Sequence, residues 1–305
     1  MGGPGARKSG SGVGERSLGQ LLESLRCDLL VLRVRAGRDK TVAMKNCALL
    51  GIALLLAGCG SGGSDSAGSA GSALKGVAYD NSPQHCDDLN TLGLAWYYNW
   101  SAKSECSGGP EYVPQIWGSW QKLNWVPTPA KAVESGPKAL LGFNEPDGAD
   151  QANLTVDEAL TLWPDLQQPG VLLGSPATAQ QVWEEAFMAG AAAKNLRVDF
   201  IAMHWYGWDA GSCNNVNSLE AKIKWAEQWQ RPIWITEWSC RLQPADVVQK
   251  FYTDALVMFK AHPLVQRYAW FLSRSDKDFA NATLLDQAGA PSALGHEYIS
   301  APSHR

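Results

Sequence analysis

From residue 75 onward, apolar stretches of strand length alternate with stretches of helical periodicity, and this alternation limits the possible folds. The strand-length stretches are residues 76–79, 94–100, 112–117, 139–144, 171–175, 200–206, 232–237 and 268–272. Helical spacing is clearest at residues 155–166, 180–194, 219–229 and 245–262. Eight strands that alternate with helices predict an α/β fold, a (β/α)8 TIM barrel, as a single domain over residues 74–305.

A doubly wound open sheet is the alternative architecture for the same pattern. No Gly-x-Gly-x-x-Gly follows the first strand, which disfavours a nucleotide-binding open sheet. The formal net charge of -4 gives no electrostatic reason to expect a nucleic-acid partner. In the barrel, functional groups are expected at the carboxyl ends of the strands.

Two predicted strands stop on a glutamate in similar surroundings. Strand four ends in Leu-Leu-Gly-Phe-Asn-Glu with Glu145, and strand seven ends in Ile-Trp-Ile-Thr-Glu with Glu237. A carboxylate at the end of a buried strand is costly to desolvate unless it is hydrogen-bonded or used in chemistry. Each glutamate could instead cap the next helix, but two in matching contexts favour one shared cleft. Strands four and seven face each other across a barrel mouth, so this cleft suits retaining glycoside cleavage, which needs two carboxyl groups about 5 to 5.5 Å apart.

The neighbours of these glutamates carry a family resemblance. The Asn-Glu-Pro sequence at residues 144–146 resembles the acid/base motif of clan A glycosidases, which place an Asn-Glu pair on strand four and the nucleophile on strand seven. Together with His-Trp-Tyr at 204–206 and Thr-Glu-Trp at 236–238, it resembles glycoside hydrolase family 128, a family of endo-β-1,3-glucanases. The resemblance covers residues 74–299.

This resemblance implies a role for each motif residue. Glu145 would be the general acid/base, Glu237 the nucleophile, and Asn144 a hydrogen-bond partner of the sugar 2-hydroxyl. The implied activity is endo-acting, retaining hydrolysis of β-1,3-glucan such as laminarin. Two alternatives stay open: a clan A hydrolase of another β-glycan, and a surface glycan-binding lipoprotein without catalysis. The presence of both carboxylates argues against the second.

Further side chains are expected around the two glutamates. His204 and Tyr206 share one face of strand six by the period of two, so both should point into the site and donate hydrogen bonds to Glu237; packing inside the barrel is the alternative. Burial and the nearby charge of Glu237 are expected to raise the pKa of the Glu145 carboxyl. Asp147 is expected to cap the following helix.

All 14 tryptophans lie between residues 96 and 270, which suggests a groove of flat apolar platforms for sugar rings. The platforms should belong to a β-glucan site, because sugar C–H faces stack on indole rings. The candidates at or beyond strand ends are Trp96, Trp100, Trp117, Trp208 and Trp238, with Trp270 as the floor beneath the reacting sugar. Core packing is the alternative for each of them.

The segment before the barrel has the pattern of an export signal. Residues 44–58 form a short apolar signal peptide that ends in Leu-Ala-Gly before Cys59, as in bacterial lipoproteins. We therefore expect export and anchoring in a membrane only through a lipid on Cys59, with residues 59–73 as a Gly/Ser linker. Residues 1–43 are interpreted as an upstream segment without a fold. An ordinary secretory signal is the alternative.

Four cysteines remain in the predicted barrel, and export favours two disulfides. Proximity in sequence favours Cys86 with Cys106 and Cys213 with Cys240, although two other pairings are open. No Cys-x-x-Cys or His-x-x-x-His spacing indicates a metal, so neither a metal nor a cofactor is expected. We expect a monomer.

Overall fold

The computed structural model describes residues 29–30, 44–45, 74–80, 82–209, 211–275 and 277–302. The chain divides into two units, residues 1–64 and 65–305. In the first unit, the strands Leu29–Leu30 and Met44–Lys45 pair antiparallel. The predicted upstream segment, signal peptide, lipidated Cys59 and linker otherwise lie outside the described residues. Among the described helices, none is long and apolar enough to cross a bilayer.

The described residues of the second unit form eight parallel strands. They are β1 Leu74–Ala78, β2 Trp96–Tyr98, β3 Glu111–Tyr112, β4 Ala139–Leu140, β5 Leu172–Leu173, β6 Ile201–Gly207, β7 Ile233–Cys240 and β8 Val265–Phe271. The helices are α1 Asp87–Thr91, α2 Pro129–Ala132, α3 Val156–Leu166, α4 Gln181–Ala193, α5 Asn217–Ala226, α6 Ala245–Phe259 and α7 Ala293–Ser300. Single 3-10 turns lie at Pro83–His85, Glu227–Trp229 and Ala280–Ala282.

Pairing between the strands closes the barrel. One sheet has the order β3-β2-β1-β8-β7-β6, and β4 pairs with β5. Parallel bridges from Gln115 to Leu141 and from Gly174 to Phe200 join the two parts. The (β/α)8 prediction is therefore confirmed. Strand β3 is shorter than predicted because Pro114 has no N–H to donate to a ladder.

Large rings fill the barrel interior. Trp96 and Trp234 lie there with their ring centroids 5.5 Å apart, and Trp234 stacks on Phe200 at 3.9 Å. Position 76 must be glycine, because a Cβ there would lie 2.4 Å from the Trp96 indole nitrogen. A second and larger apolar cluster packs the helices against the outside of the strands.

Two disulfides fix loops beside the barrel. Cys86 is bonded to Cys106, and Cys213 is bonded to Cys240 at the end of β7. The predicted pairing is therefore confirmed. The second bridge ties the loop after β6 to β7, so that two elements next to the barrel mouth are joined covalently.

Candidate active site

The predicted residues of strands four, six and seven meet in a cleft of about 340 Å³ at the carboxyl ends of the strands. The lining side chains are Trp100, Trp117, Asn144, Glu145, Gln151, Tyr206, Trp208, Glu237, Phe271 and Phe279. Carboxylate oxygens of Glu145 and Glu237 lie within 4.8 Å of each other. This spacing fits the roughly 5 to 5.5 Å between the carboxyl groups of retaining glycosidases, whereas inverting glycosidases leave about 6.5 Å or more for a water molecule.

The backbone of Glu145 adopts an unusual conformation. Its φ is 39°, in the left-handed region that costs a residue with a side chain on the order of 1 kcal/mol. Its N–H donates to the carbonyl of Ala177 over 2.7 Å, and the preceding N–H of Asn144 donates to the carbonyl of Trp117 over 2.8 Å. These bonds to the neighbouring strand ends hold the turn that points the carboxyl group into the cleft.

Glu237 lies deeper, with 5% of its surface exposed. One carboxylate oxygen accepts hydrogen bonds from the Tyr98 hydroxyl at 2.9 Å and from the Trp100 indole N–H at 2.8 Å. The other oxygen accepts from the hydroxyl of Tyr206. Three donors on one buried carboxylate stabilise its negative charge, which a nucleophile needs.

His204 lies between the two glutamates and is almost fully buried. Its Nδ1 is hydrogen-bonded to Glu145 Oε1 at 3.0 Å. Its Nε2 is 3.3 Å from Glu237 Oε1, but the geometry of that contact does not make a hydrogen bond. Among the described residues, Glu145, His204 and Glu237 are the group whose side chains could together supply ligands to a metal ion. The carboxylates lie against opposite ring nitrogens, so their shortest contacts do not converge on one ion.

The charge environment of Glu145 differs from the prediction. Burial acts to raise the pKa of the Glu145 carboxyl. The hydrogen bond and charge of His204, together with the charge of Lys222, lower this pKa by more than burial raises it. The pKa therefore lies below its ordinary value, and the expectation of a raised pKa is wrong for this structure. The effects of His204 and Lys222 depend on where the fold places these two side chains, which the sequence does not show.

The Asn144 side chain is buried at the cleft wall, where its amide N–H donates to Gln151 at 3.1 Å. Asp147 does cap a helix, although not the following one. Its carboxylate accepts from the N–H groups of Ala179 and Gln180 at 3.2 and 2.6 Å, where the chain enters α4. The following helix, α3, is capped by Thr155 instead.

Three predicted platforms line the cleft and three do not. Trp100, Trp117 and Trp208 face it, and Trp208 is 58% exposed. The predictions for Trp96, Trp238 and Trp270 are wrong, because each has no exposed surface. Trp96 fills the barrel below the cleft, whereas Trp238 and Trp270 pack edge to face at 4.7 Å in the outer core. A sugar cannot reach any of these rings.

Several site residues were missed by sequence reasoning. Tyr98 donates to Glu237, and Phe271 and Phe279 line the cleft. The period of two places residue 98 on the same face as residue 100, so Tyr98 could have been found from Trp100. Phe279 follows the last strand in a loop with no periodic signal. Phe271, rather than Trp270, provides the aromatic side chain of β8 in the cleft.

A β/α barrel with two glutamates this close at its mouth is the architecture of a glycoside hydrolase. The model of the family described as "Glycosyl hydrolase catalytic core" matches residues 76–298. The chain belongs to this family, and within it to glycoside hydrolase family 128.

Solved structures support the assignment to glycoside hydrolase family 128. An endo-β-1,3-glucanase of subgroup I of that family from Amycolatopsis mediterranei, solved with laminaritriose, is 34% identical with a TM-score of 0.65; the match covers 75% of this chain and 99% of that one. A subgroup II endo-β-1,3-glucanase from Sorangium cellulosum is 28% identical with a TM-score of 0.64, over 76% of this chain and 100% of that one.

A curated relative is the "Alkali-sensitive linkage protein 1" of Schizosaccharomyces pombe. It is 32% identical over 237 residues, which are 71% of this chain and 42% of the relative. The match therefore spans less than half of the length of that protein.

Proposed function

We propose that this protein is a retaining endo-β-1,3-glucanase in which Glu237 is the nucleophile and Glu145 the general acid/base. The observation that carries the proposal is the separation of the two carboxylates, within 4.8 Å across the cleft. That distance fits direct attack on the anomeric carbon from one side and protonation of the leaving oxygen from the other. The similarity to two endo-β-1,3-glucanases supports the substrate class.

The first chemical step joins the sugar to the enzyme. A Glu237 oxygen attacks the anomeric carbon while the Glu145 carboxyl gives its proton to the oxygen of the leaving sugar, so that the glycosidic bond breaks. Tyr98, Trp100 and Tyr206 keep Glu237 oriented through the three hydrogen bonds described above.

The second step releases the product. Glu145, now ionised, removes a proton from a water molecule, whose oxygen attacks the anomeric carbon and displaces Glu237. Two inversions at one carbon give net retention. The position of Asn144 in the wall of the cleft supports a role for its amide in binding a sugar hydroxyl beside the reacting carbon.

The test uses residues 74–305 with laminarin, mixed-linkage β-glucan, cellulose and xylan, and resolves the released oligosaccharides by size. We expect a ladder of products from laminarin, first released as the β-anomer in time-resolved NMR. Glu145→Gln and Glu237→Gln should be folded and inactive, and Glu185→Gln, at an exposed position on α4, should be as active as the wild type. Cleavage of another glycan alone would contradict the substrate. Binding of laminarin without cleavage would instead support the glycan-binding alternative.

We also propose that the protein is exported and held at a membrane by a lipid on Cys59. The signal-like residues 44–58 support this, as do the two disulfides, which are typical of oxidising compartments. Expression of the full chain in a bacterium, followed by fractionation, should find it in the membrane fraction. Cys59→Ser should move it to the soluble fraction, and an unchanged distribution would contradict lipidation.

A further inference from the structure

The loop of residues 175–180, between β5 and α4, holds the backbone of Glu145. The carbonyl of Ala177 accepts the N–H of Glu145 at 2.7 Å, and the N–H of Ala177 donates to the carbonyl of Phe143 at 3.0 Å. Because Glu145 has a left-handed φ, its backbone is not in a conformation that it would keep unaided. The position of its carboxyl group therefore depends on the position of this loop.

Two charged side chains fix the loop from outside the cleft. Asp147 accepts the N–H groups of Ala179 and Gln180, as described above. From α5, the ammonium group of Lys222 donates to the carbonyl of Thr178 at 3.3 Å, across 44 positions of sequence. Lys222 thus ties α5 to the same loop that supports Glu145.

The carboxyl group of Glu184 is close enough to Lys222 for the two groups to interact electrostatically. It is 1% exposed, and neither of its oxygens has a hydrogen-bond partner in the described part of the chain. Burial raises the pKa of Glu184 to about 8, so this carboxyl is mostly protonated at neutral pH. Burial also lowers the pKa of the Lys222 ammonium group, whereas the carboxyl groups of Glu184, Asp147 and Glu145 raise it and so favour its charged form.

Several ionisable groups face Glu145 from the elements around it. They are His204 and Tyr206 on β6, Glu237 on β7, Tyr98 on β2 and Lys222 on α5. His204 and Lys222 are the two whose charges favour the ionised form of Glu145. His204 touches both carboxylates, whereas Lys222 contacts the loop and acts on Glu145 over a longer range.

We propose that Lys222 is a positioning residue for the reaction: it anchors the loop 175–180 that holds Glu145 and supplies positive charge to the acid/base side of the cleft. The inference rests on the proposed role of Glu145. The charge favours the ionised carboxylate, which must accept the proton of water in the second step. The anchor keeps the carboxyl group within reach of the leaving oxygen in the first.

The test compares Lys222→Met, which has a similar length but no charge, with Lys222→Arg, which keeps the positive charge. Lys224→Met is the matched control, because Lys224 lies on the same helix and its ammonium group pairs only with Glu220 among the contacts of the described residues, at 2.7 Å. We expect Lys222→Met to lower kcat on laminarin about tenfold with little change in KM, since a small displacement of a catalytic group has a cost of this order or more. Lys222→Arg should restore most of the rate.

The pH dependence separates positioning from simple loss of fold. Without the positive charge of Lys222, Glu145 holds its proton to higher pH. The alkaline limb of the kcat/KM profile should therefore shift to higher pH in Lys222→Met. The limb should stay in place in Lys222→Arg and in Lys224→Met. A lower rate with an unchanged limb would overturn the proposal, because a loosened structure alone would produce it.

A direct titration keeps this test independent of the proposed function. The carboxyl carbon of Glu145, identified by its absence from the spectrum of Glu145→Gln, is followed by ¹³C NMR without substrate. Its titration should move to higher pH in Lys222→Met and not in Lys224→Met. Equal titration curves would refute the inference even if laminarin is cleaved, and a shift with no cleavage of any β-1,3-glucan would refute only the proposed function.

Discussion

The indole N–H of Trp100 donates a hydrogen bond of 2.8 Å to Glu237, a residue 137 positions away. The sequence predicts that Trp100 is a platform for sugar rings. Trp100 does line the cleft, but its polar edge is directed at the proposed nucleophile. One side chain thus combines an apolar wall with a donor to a buried carboxylate. The two functions can be separated by mutation.

Trp100→Phe keeps an aromatic ring in the wall but removes the N–H. Loss of one hydrogen bond to a charged group costs about 1.5 to 3 kcal/mol, which corresponds to a loss of roughly ten- to hundredfold in kcat/KM. The fall should be mainly in kcat, because the apolar surface remains. Steady-state kinetics on laminarin oligosaccharides check this. Trp125→Phe, at a 56% exposed position, is the control, and a change confined to KM would show that Trp100 acts only as a platform.

The sequence could locate the two glutamates because strand-length apolar runs end beside them, and parallel strands bring such ends to one barrel mouth. The same reasoning could have excluded Trp238, since it follows Glu237 and the period of two turns it to the other face. Trp270 could not be excluded in this way, because β8 carries no motif residue that shows which of its faces is turned to the cleft. In the structure, Ala269 and Phe271 belong to the inner cluster, and Tyr268 and Trp270 belong to the outer one.

Contacts between residues far apart in the chain could not be predicted from the sequence either. The pKa of Glu145 is lowered first by His204 and then by Lys222. Lys222 reaches the site region from α5 through a contact with Thr178, 44 positions earlier in the chain. No periodicity or motif marks that lysine. Its charge acts through space, and only the packing of α5 against the loop sets the distance.

Glu184 should make stability depend on pH. Its pKa is raised to about 8 in the folded protein, from an ordinary value of 4.5, so the folded state binds more protons between these values. Stability should therefore fall as pH rises from about 4.5 to about 8, by an amount on the order of a few kcal/mol. Glu184→Gln has no proton to lose, and it should flatten this slope. Urea unfolding at several values between about pH 5 and about pH 8 measures the effect.

The neighbouring Glu185 provides the control for that experiment, because it is exposed on the same helix. Glu185→Gln should keep the wild-type slope. If Glu184→Gln also kept it, the ionisation of Glu184 would not be responsible for the pH dependence of stability.

The two disulfides should contribute similar stability but differ in their effect on activity. In the chain-entropy account, a loop with the sequence separation of 27 between Cys213 and Cys240 contributes about 3.5 kcal/mol, and the separation of 20 between Cys86 and Cys106 contributes about 3 kcal/mol. Replacing each pair by alanine should lower the free energy of unfolding by these amounts.

Only the Cys213–Cys240 pair ties down the loop after β6, which begins beside Trp208 in the cleft. Its removal should therefore also raise KM for laminarin oligosaccharides at a temperature where both variants are folded. The Cys86–Cys106 variant serves as the comparison. An equal rise in KM for both would show that the effect does not come from the loop of Trp208.

Trp270 and Trp208 test the distinction between core and cleft tryptophans. Trp270 is fully buried, its indole N–H donates to the carbonyl of Ala282 at 2.7 Å, and its ring packs against Trp238. Trp270→Ala should lower the free energy of unfolding by about 3 to 5 kcal/mol, because it leaves a cavity and an unpaired carbonyl. Trp208→Ala should change it by no more than about 0.5 kcal/mol, because more than half of that ring is already in water.

The effects of the two substitutions on KM should be the reverse of their effects on stability. Trp208→Ala removes an exposed aromatic face from the cleft and should raise KM for laminarin oligosaccharides, whereas Trp270→Ala, measured where it is still folded, should leave KM close to that of the wild type. Urea unfolding and steady-state kinetics on the two variants give both quantities. A large increase in KM for Trp270→Ala without loss of stability would mean that the ring reaches the substrate, and the assignment of Trp270 to the outer core would be wrong.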